Sequence, residues 1–195
     1  VPLEAGAHHA AVFNSGMAAI MTAFFTFARP ASSFVYTIPL YGGTMRLIHI
    51  SDLHLGFRQY QRQTPTGINQ READVATAFK RAIDKIIAMT PDIVLIAGDV
   101  FHAVRPTNSA IVHAFSQFSR LRQALPESIV VMIAGNHDSP RASETGCILR
   151  LFAPLGIHVV QGEAERLTFP DRDLSILAVP DALRGDHPVL EPDSA

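Results

Sequence analysis

Apolar residues follow two rhythms along most of this chain. Short runs at 47–50, 93–97, 129–134 and 157–160 are almost wholly apolar and rich in β-branched side chains. Runs of that length suit strands buried on both faces. Longer stretches between them carry apolar residues at helical spacing. Over 70–89 these are Val75, Phe79, Ala82, Ile83, Ile86 and Ile87, and Thr90-Pro91 closes the run. Over 107–125 they are Ile111, Phe115, Phe118 and Leu121, with Thr107 or Asn108 to cap the start and Pro126 to end it. A further helix is expected over about 142–152. Segments 166–169 and 174–179, split by Pro-Asp-Arg-Asp, read as a hairpin. Such alternation predicts an α/β fold, a layered sheet flanked by helices. Beyond Pro180 two more prolines and no apolar period predict a loop.

Residues 1–44 have a different texture, with one acid (Glu4), one base (Arg29) and many small residues. A boundary is expected near Gly42-Gly43-Thr44, dividing 1–44 from 45–195. Residues 11–13 read as a short strand, and Asn14-Ser15-Gly16-Met17 opens a helix, making a short βαβ-like fragment. Amides at such a helix start either hold a phosphate or belong to an ordinary capped helix. Residues 10–28 carry no formal charge, but Asn14, Ser15 and Gly16 interrupt them. The remaining stretch of about a dozen apolar residues is too short to span a bilayer. Glu4 and the lack of Lys or Arg before it also oppose a signal peptide. A buried helix and no membrane are expected.

Composition narrows the class. With 195 residues there is room for one domain and some extra, and 48% apolar against 17% charged residues excludes disorder. A net charge of −2 gives no broad basic footprint. The single cysteine, Cys147, excludes an internal disulfide and suits a reducing cytoplasm.

The candidate chemistry stands at the ends of three strand runs: Asp52-Leu53-His54, Gly98-Asp99 and Gly135-Asn136-His137-Asp138. Ligands of open α/β sheets bind at the carboxyl ends of the strands. Taken singly, each cluster reads equally well as a cap or turn. Three at equivalent places point to a metal site. Mixed carboxylate, imidazole and amide donors favour Mn²⁺, Fe²⁺ or Zn²⁺ over Ca²⁺ or Mg²⁺. Two ions about 3.5–4 Å apart would hold a hydroxide for in-line attack on phosphorus.

These segments resemble the signature of the calcineurin-like metallophosphoesterases. The run Met45-Arg46-Leu47-Ile48-His49-Ile50-Ser51-Asp52-Leu53-His54-Leu55-Gly56, with Gly98-Asp99-Val100-Phe101-His102 and Arg105-Pro106, is similar to the SbcD-type DNA exonuclease branch. The likeness covers residues 45 to about 180. It implies that Asp52 and His54 bind one ion, Asp99 bridges two, and Asn136 binds the second, with Mn²⁺ the expected metal. It implies a catalytic role for His137 beside the phosphate and for His102 in positioning a DNA strand. DNA and a coiled-coil ATPase subunit are the implied partners, and a homodimer is left open. The family adds a lone histidine and a Gly-His-x-His segment downstream. Here only His158 and His187 follow His137, without His-x-His. The domain is therefore expected to be C-terminally incomplete and weakly active or inactive. A nucleotide or phosphoprotein substrate, or a non-catalytic remnant, are the other readings.

Leu3-Glu4, Ser15-Gly16-Met17-Ala18-Ala19-Ile20 and Pro39-Leu40-Tyr41-Gly42-Gly43-Thr44 resemble pyridoxal-phosphate enzymes of cysteine and methionine metabolism. That likeness implies that Ser15, Gly16 and Met17 lie at a cofactor phosphate and that Tyr41 stacks on its ring. Schiff-base chemistry needs a lysine, and the only two, Lys80 and Lys85, lie in the other piece. Functional pyridoxal phosphate is not expected.

Overall fold

The computed structural model describes residues 38–39, 45–140 and 146–181. By packing, the chain divides into Val1–Ser32 and Ser33–Ala195, and every element below lies in the second unit. The expected strand at 11–13, the helix after it, and Ser15, Gly16, Met17 and Tyr41 fall outside the described residues.

Strand β1 (Ile38–Pro39) pairs antiparallel with β2 (Arg46–Ile50). There follow α1 (Gln70–Met89), β3 (Ile93–Ala97), α2 (Asn108–Ala124), β4 (Ile129–Ile133), a 3-10 helix (Ile148–Leu155) and β5 (His158–Val160). The sheet runs in the order β1-β2-β3-β4-β5, with β2 to β5 parallel. This order never reverses. Right-handed crossovers repeated in one direction leave the sheet on the same side, so the helices share one face. There Ile48, Ile50, Val94, Ile96, Val130 and Met132 pack with Phe79, Ile83, Ile86, Phe118, Leu121 and Phe152.

Alternate strand positions point the other way. Ile93, Ile129, Val131 and Val160 meet Leu167, Phe169, Leu174 and Ile176 of the hairpin β6 (Glu165–Phe169) and β7 (Leu174–Ala178). Burial on both faces explains why the strand runs are apolar throughout. The hairpin turn is pinned beneath the sheet, where the Arg172 guanidinium donates to the Glu127 carbonyl at 2.6 Å and stands 3.8 Å from Asp92.

Local chemistry sets the helix ends. Asn69 caps α1 by accepting from the N–H groups of Arg71 and Glu72, and Thr90 closes it in the left-handed region at φ 42°. Thr107 caps α2 by accepting from the N–H of Ala110.

Two expectations are corrected. Phe115 is 38% exposed, because the inner face of α2 is centred on Ala110, Ala114, Phe118 and Leu121. The described part of the segment expected as a helix over 142–152 is the 3-10 helix, whose three-residue period aligns the buried Leu149 and Phe152. His113 of α2 bridges the two helices, its Nε2 3.0 Å from the Ala76 carbonyl.

Candidate metal centre

Beyond β2 and β3 the two chains stay laddered past the end of the regular sheet. The N–H groups of Asp52, His54 and Leu55 donate to the carbonyls of Gly98, Asp99 and Val100, and His102 donates back to Leu55. That zipper sets Asp52, His54, Asp99 and His102 side by side. Its backbone is unusual, since Asp52, His54 and Asp99 all adopt positive φ, at 55°, 43° and 51°. A non-glycine residue held there costs roughly 1–2 kcal/mol, and such conformations concentrate at functional sites.

The side chains converge. One donor atom each from Asp52, His54 and Asp99 lies within 4.8 Å of the others, and the same holds for His54, His102 and His137. His54 Nε2 is 3.9 Å from Asp52 Oδ1 and 3.9 Å from Asp99 Oδ2, too far for hydrogen bonds. Two donors each about 2.1 Å from a shared ion stand roughly 3–4 Å apart, so the spacing suits a cation between them. The donor set, two carboxylates and an imidazole, suits a borderline divalent metal. The residues present fit a metal ion.

The third strand end locks onto the second. Gly135 must be glycine: a Cβ there would sit 2.5 Å from the Asp99 nitrogen and overlap its carboxylate. The His137 N–H donates to Asp99 Oδ1 at 3.0 Å. The His137 Nδ1 lies 2.7 Å from the His102 carbonyl, an acceptor, so that nitrogen carries a proton. The His102 and His137 rings stack at 5.3 Å, and His54 meets both edge-on. Burial holds the His102 imidazole below its ordinary range, and neighbouring His54 and His137 add to this while Asp99 opposes it. Neutral imidazole is the ligating form.

Asn136 is exposed in the same turn, and its side chain makes no hydrogen bond among the described residues. Asp138, left without a role in the sequence reading, is fully buried. It accepts from the N–H groups of Val100, Phe101 and Gly135 at 3.0–3.1 Å, tying the loops after β3 and β4 together. Burial pushes its carboxyl up despite those three donors. His158 opens β5 against Phe169, away from the cluster, and His187 lies outside the described residues.

Among the described residues no helix is long and apolar enough to cross a membrane. Comparison with known proteins agrees with the site. The family model for calcineurin-like phosphoesterases matches residues 45–179. DNA double-strand break repair protein Mre11 of Methanocaldococcus jannaschii is 39% identical over 97 residues, 50% of this chain and 24% of that protein. The Mre11 of Methanococcus maripaludis is 36% identical over 103 residues, 52% of this chain and 25% of that protein. That of Methanosarcina mazei is 28% identical over 148 residues, 75% of this chain and 22% of that protein. The chain thus spans about a quarter of the length of these relatives. Nothing in these comparisons supports the pyridoxal-phosphate likeness of residues 1–44, which the family match leaves uncovered. Residues 45–179 belong to the calcineurin-like phosphoesterase family, and the chain is related within it to Mre11.

Proposed function

We propose that residues 45–195 hold part of a two-metal centre for phosphodiester hydrolysis at DNA ends, with 1–44 a separate fragment. The observation that carries this is the convergence of Asp52, His54 and Asp99 at the ends of adjacent parallel strands, on left-handed backbone. Asp52 and His54 would hold the first ion, Asp99 would serve both, and Asn136 would hold the second. When bound, the metal, Mn²⁺ in this reading, would supply Lewis-acid chemistry to the phosphate and to the attacking water. The chain's own groups do the rest. The His137 amide fixes the Asp99 carboxylate. With Nδ1–H committed to the His102 carbonyl, only Nε2 of His137 is left to exchange a proton with a leaving oxygen. His102 steers the DNA strand.

The DNA double-strand break repair proteins this chain resembles support a DNA substrate, and the same reading adds a coiled-coil ATPase partner and a cytoplasmic location. No His-x-His follows His137 in this sequence, and the reading therefore expects slow or no turnover from these 195 residues by themselves. Calorimetric titration of the purified chain with Mn²⁺ is expected to show saturable binding that Asp99→Ala abolishes. No heat of binding in the native chain would sink the reading. Brisk hydrolysis of bis-p-nitrophenyl phosphate would overturn the expected weak activity while leaving the metal site standing.

A further inference from the structure

A cleft of about 500 Å³ lies along the loop that follows His54, and Arg58, Gln61, Gln63, Ile68, Asn69 and Glu72 line it. The loop borders the metal centre directly, since the Phe57 ring packs edge-on against His102 at 4.8 Å. Arg58, the next residue, turns to the cleft. Its Nε donates to Glu72 Oε2 at 2.7 Å, and the other Glu72 oxygen accepts from the Thr107 hydroxyl at 3.1 Å. Glu72 is 5% exposed, whereas the Arg58 side chain is 57% exposed. The two terminal nitrogens of Arg58 make no hydrogen bond among the described residues. A buried, fully partnered carboxylate thus fixes the guanidinium by Nε and leaves its NH1/NH2 edge open. That edge matches two oxygens of a phosphate.

We propose that this cleft is a nucleotide subsite. It takes one nucleotide unit of a polynucleotide, with a non-scissile phosphate on Arg58 and the base among the carboxamides of Gln61 and Gln63. The cleft falls within the ~300–1,000 Å³ range of small-ligand sites. The Glu72 charge is neutralised by Arg58, and the remaining lining residues are uncharged, as an uncharged base requires. This rests on the DNA reading above and deepens it.

The test is fluorescence anisotropy of a labelled oligothymidylate with the full chain in EDTA. Arg58→Ala is expected to raise Kd tenfold or more. Arg58→Lys keeps the charge without the fork and is expected to raise it at least threefold. The double variant Gln61→Ala/Gln63→Ala, altering two exposed side chains, is expected to weaken binding about threefold with an unchanged melting curve. Lys80→Ala, on an exposed position of α1, serves as the control and should stay within twofold of native. An Arg58→Ala Kd within twofold of native, or no binding by the native chain, would overturn the subsite. Because the readout needs no metal, its failure is distinct from a failed Mn²⁺ titration.

Discussion

Three backbone N–H groups from two loops meet on the carboxylate of one buried side chain, Asp138. Removing it strands donors that water cannot reach, at ~1–3 kcal/mol for each group left unpaired. Asp138→Ala is expected to lower unfolding free energy by about 3–5 kcal/mol in urea titrations. Asp138→Asn keeps one acceptor oxygen and should lose about half as much. Equal stability of Asp138→Ala and native chain would show that the loops do not depend on this anchor. The gathering of Asp52, His54, Asp99 and His137 at one end of the sheet was legible because each follows an apolar run at a strand end. The part played by Asp138 was not, because two of its donors lie 37 and 38 residues away in sequence. Nor was the buried Glu72 legible, since its partners Arg58 and Thr107 come from separate loops.

At the scale of elements, apolar spacing and breakers placed α1 at 70–89, where it stands. The buried side of α2 was read one strip off, because alanines gave no hydrophobic signal there. Ala110 and Ala114 are small enough to let the helix approach the sheet, and they mark the centre of its inner face. Phe115 lies at the edge of that face, while Phe118 is fully buried and packs edge-on against Phe79 and Phe152 at 5.2 and 4.9 Å. Truncating Phe118 to alanine leaves a cavity among rigid rings, costing about 3–5 kcal/mol. Phe115→Ala removes a partly hydrated ring and should cost under ~1 kcal/mol. Chemical denaturation of both variants checks the ordering, and equal losses would contradict the assigned face.

Across the molecule, four parallel strands place helices on one face and a hairpin on the other. Strand alternation was visible in the sequence. The division of the faces was not, because a strand buried on both sides reads the same whichever layer covers it. This layering has a pH consequence. His49 sits in β2, and burial lowers its pKa below the ordinary 6.5, with Asp52 opposing. His102 at the centre is also lowered, first by burial. A histidine that resists protonation when folded binds fewer protons than in the unfolded chain, so unfolding takes up protons as the solution turns acid. The stability from both groups is complete above pH 6.5 and is lost as pH falls through that value toward their lowered folded pKa values. In EDTA, the urea midpoint of the native chain should fall between pH 7.5 and 5.5. His49→Gln removes one of the two groups, so its midpoint should fall less over the same interval. A variant slope as steep as the native one would assign the acid sensitivity to other groups.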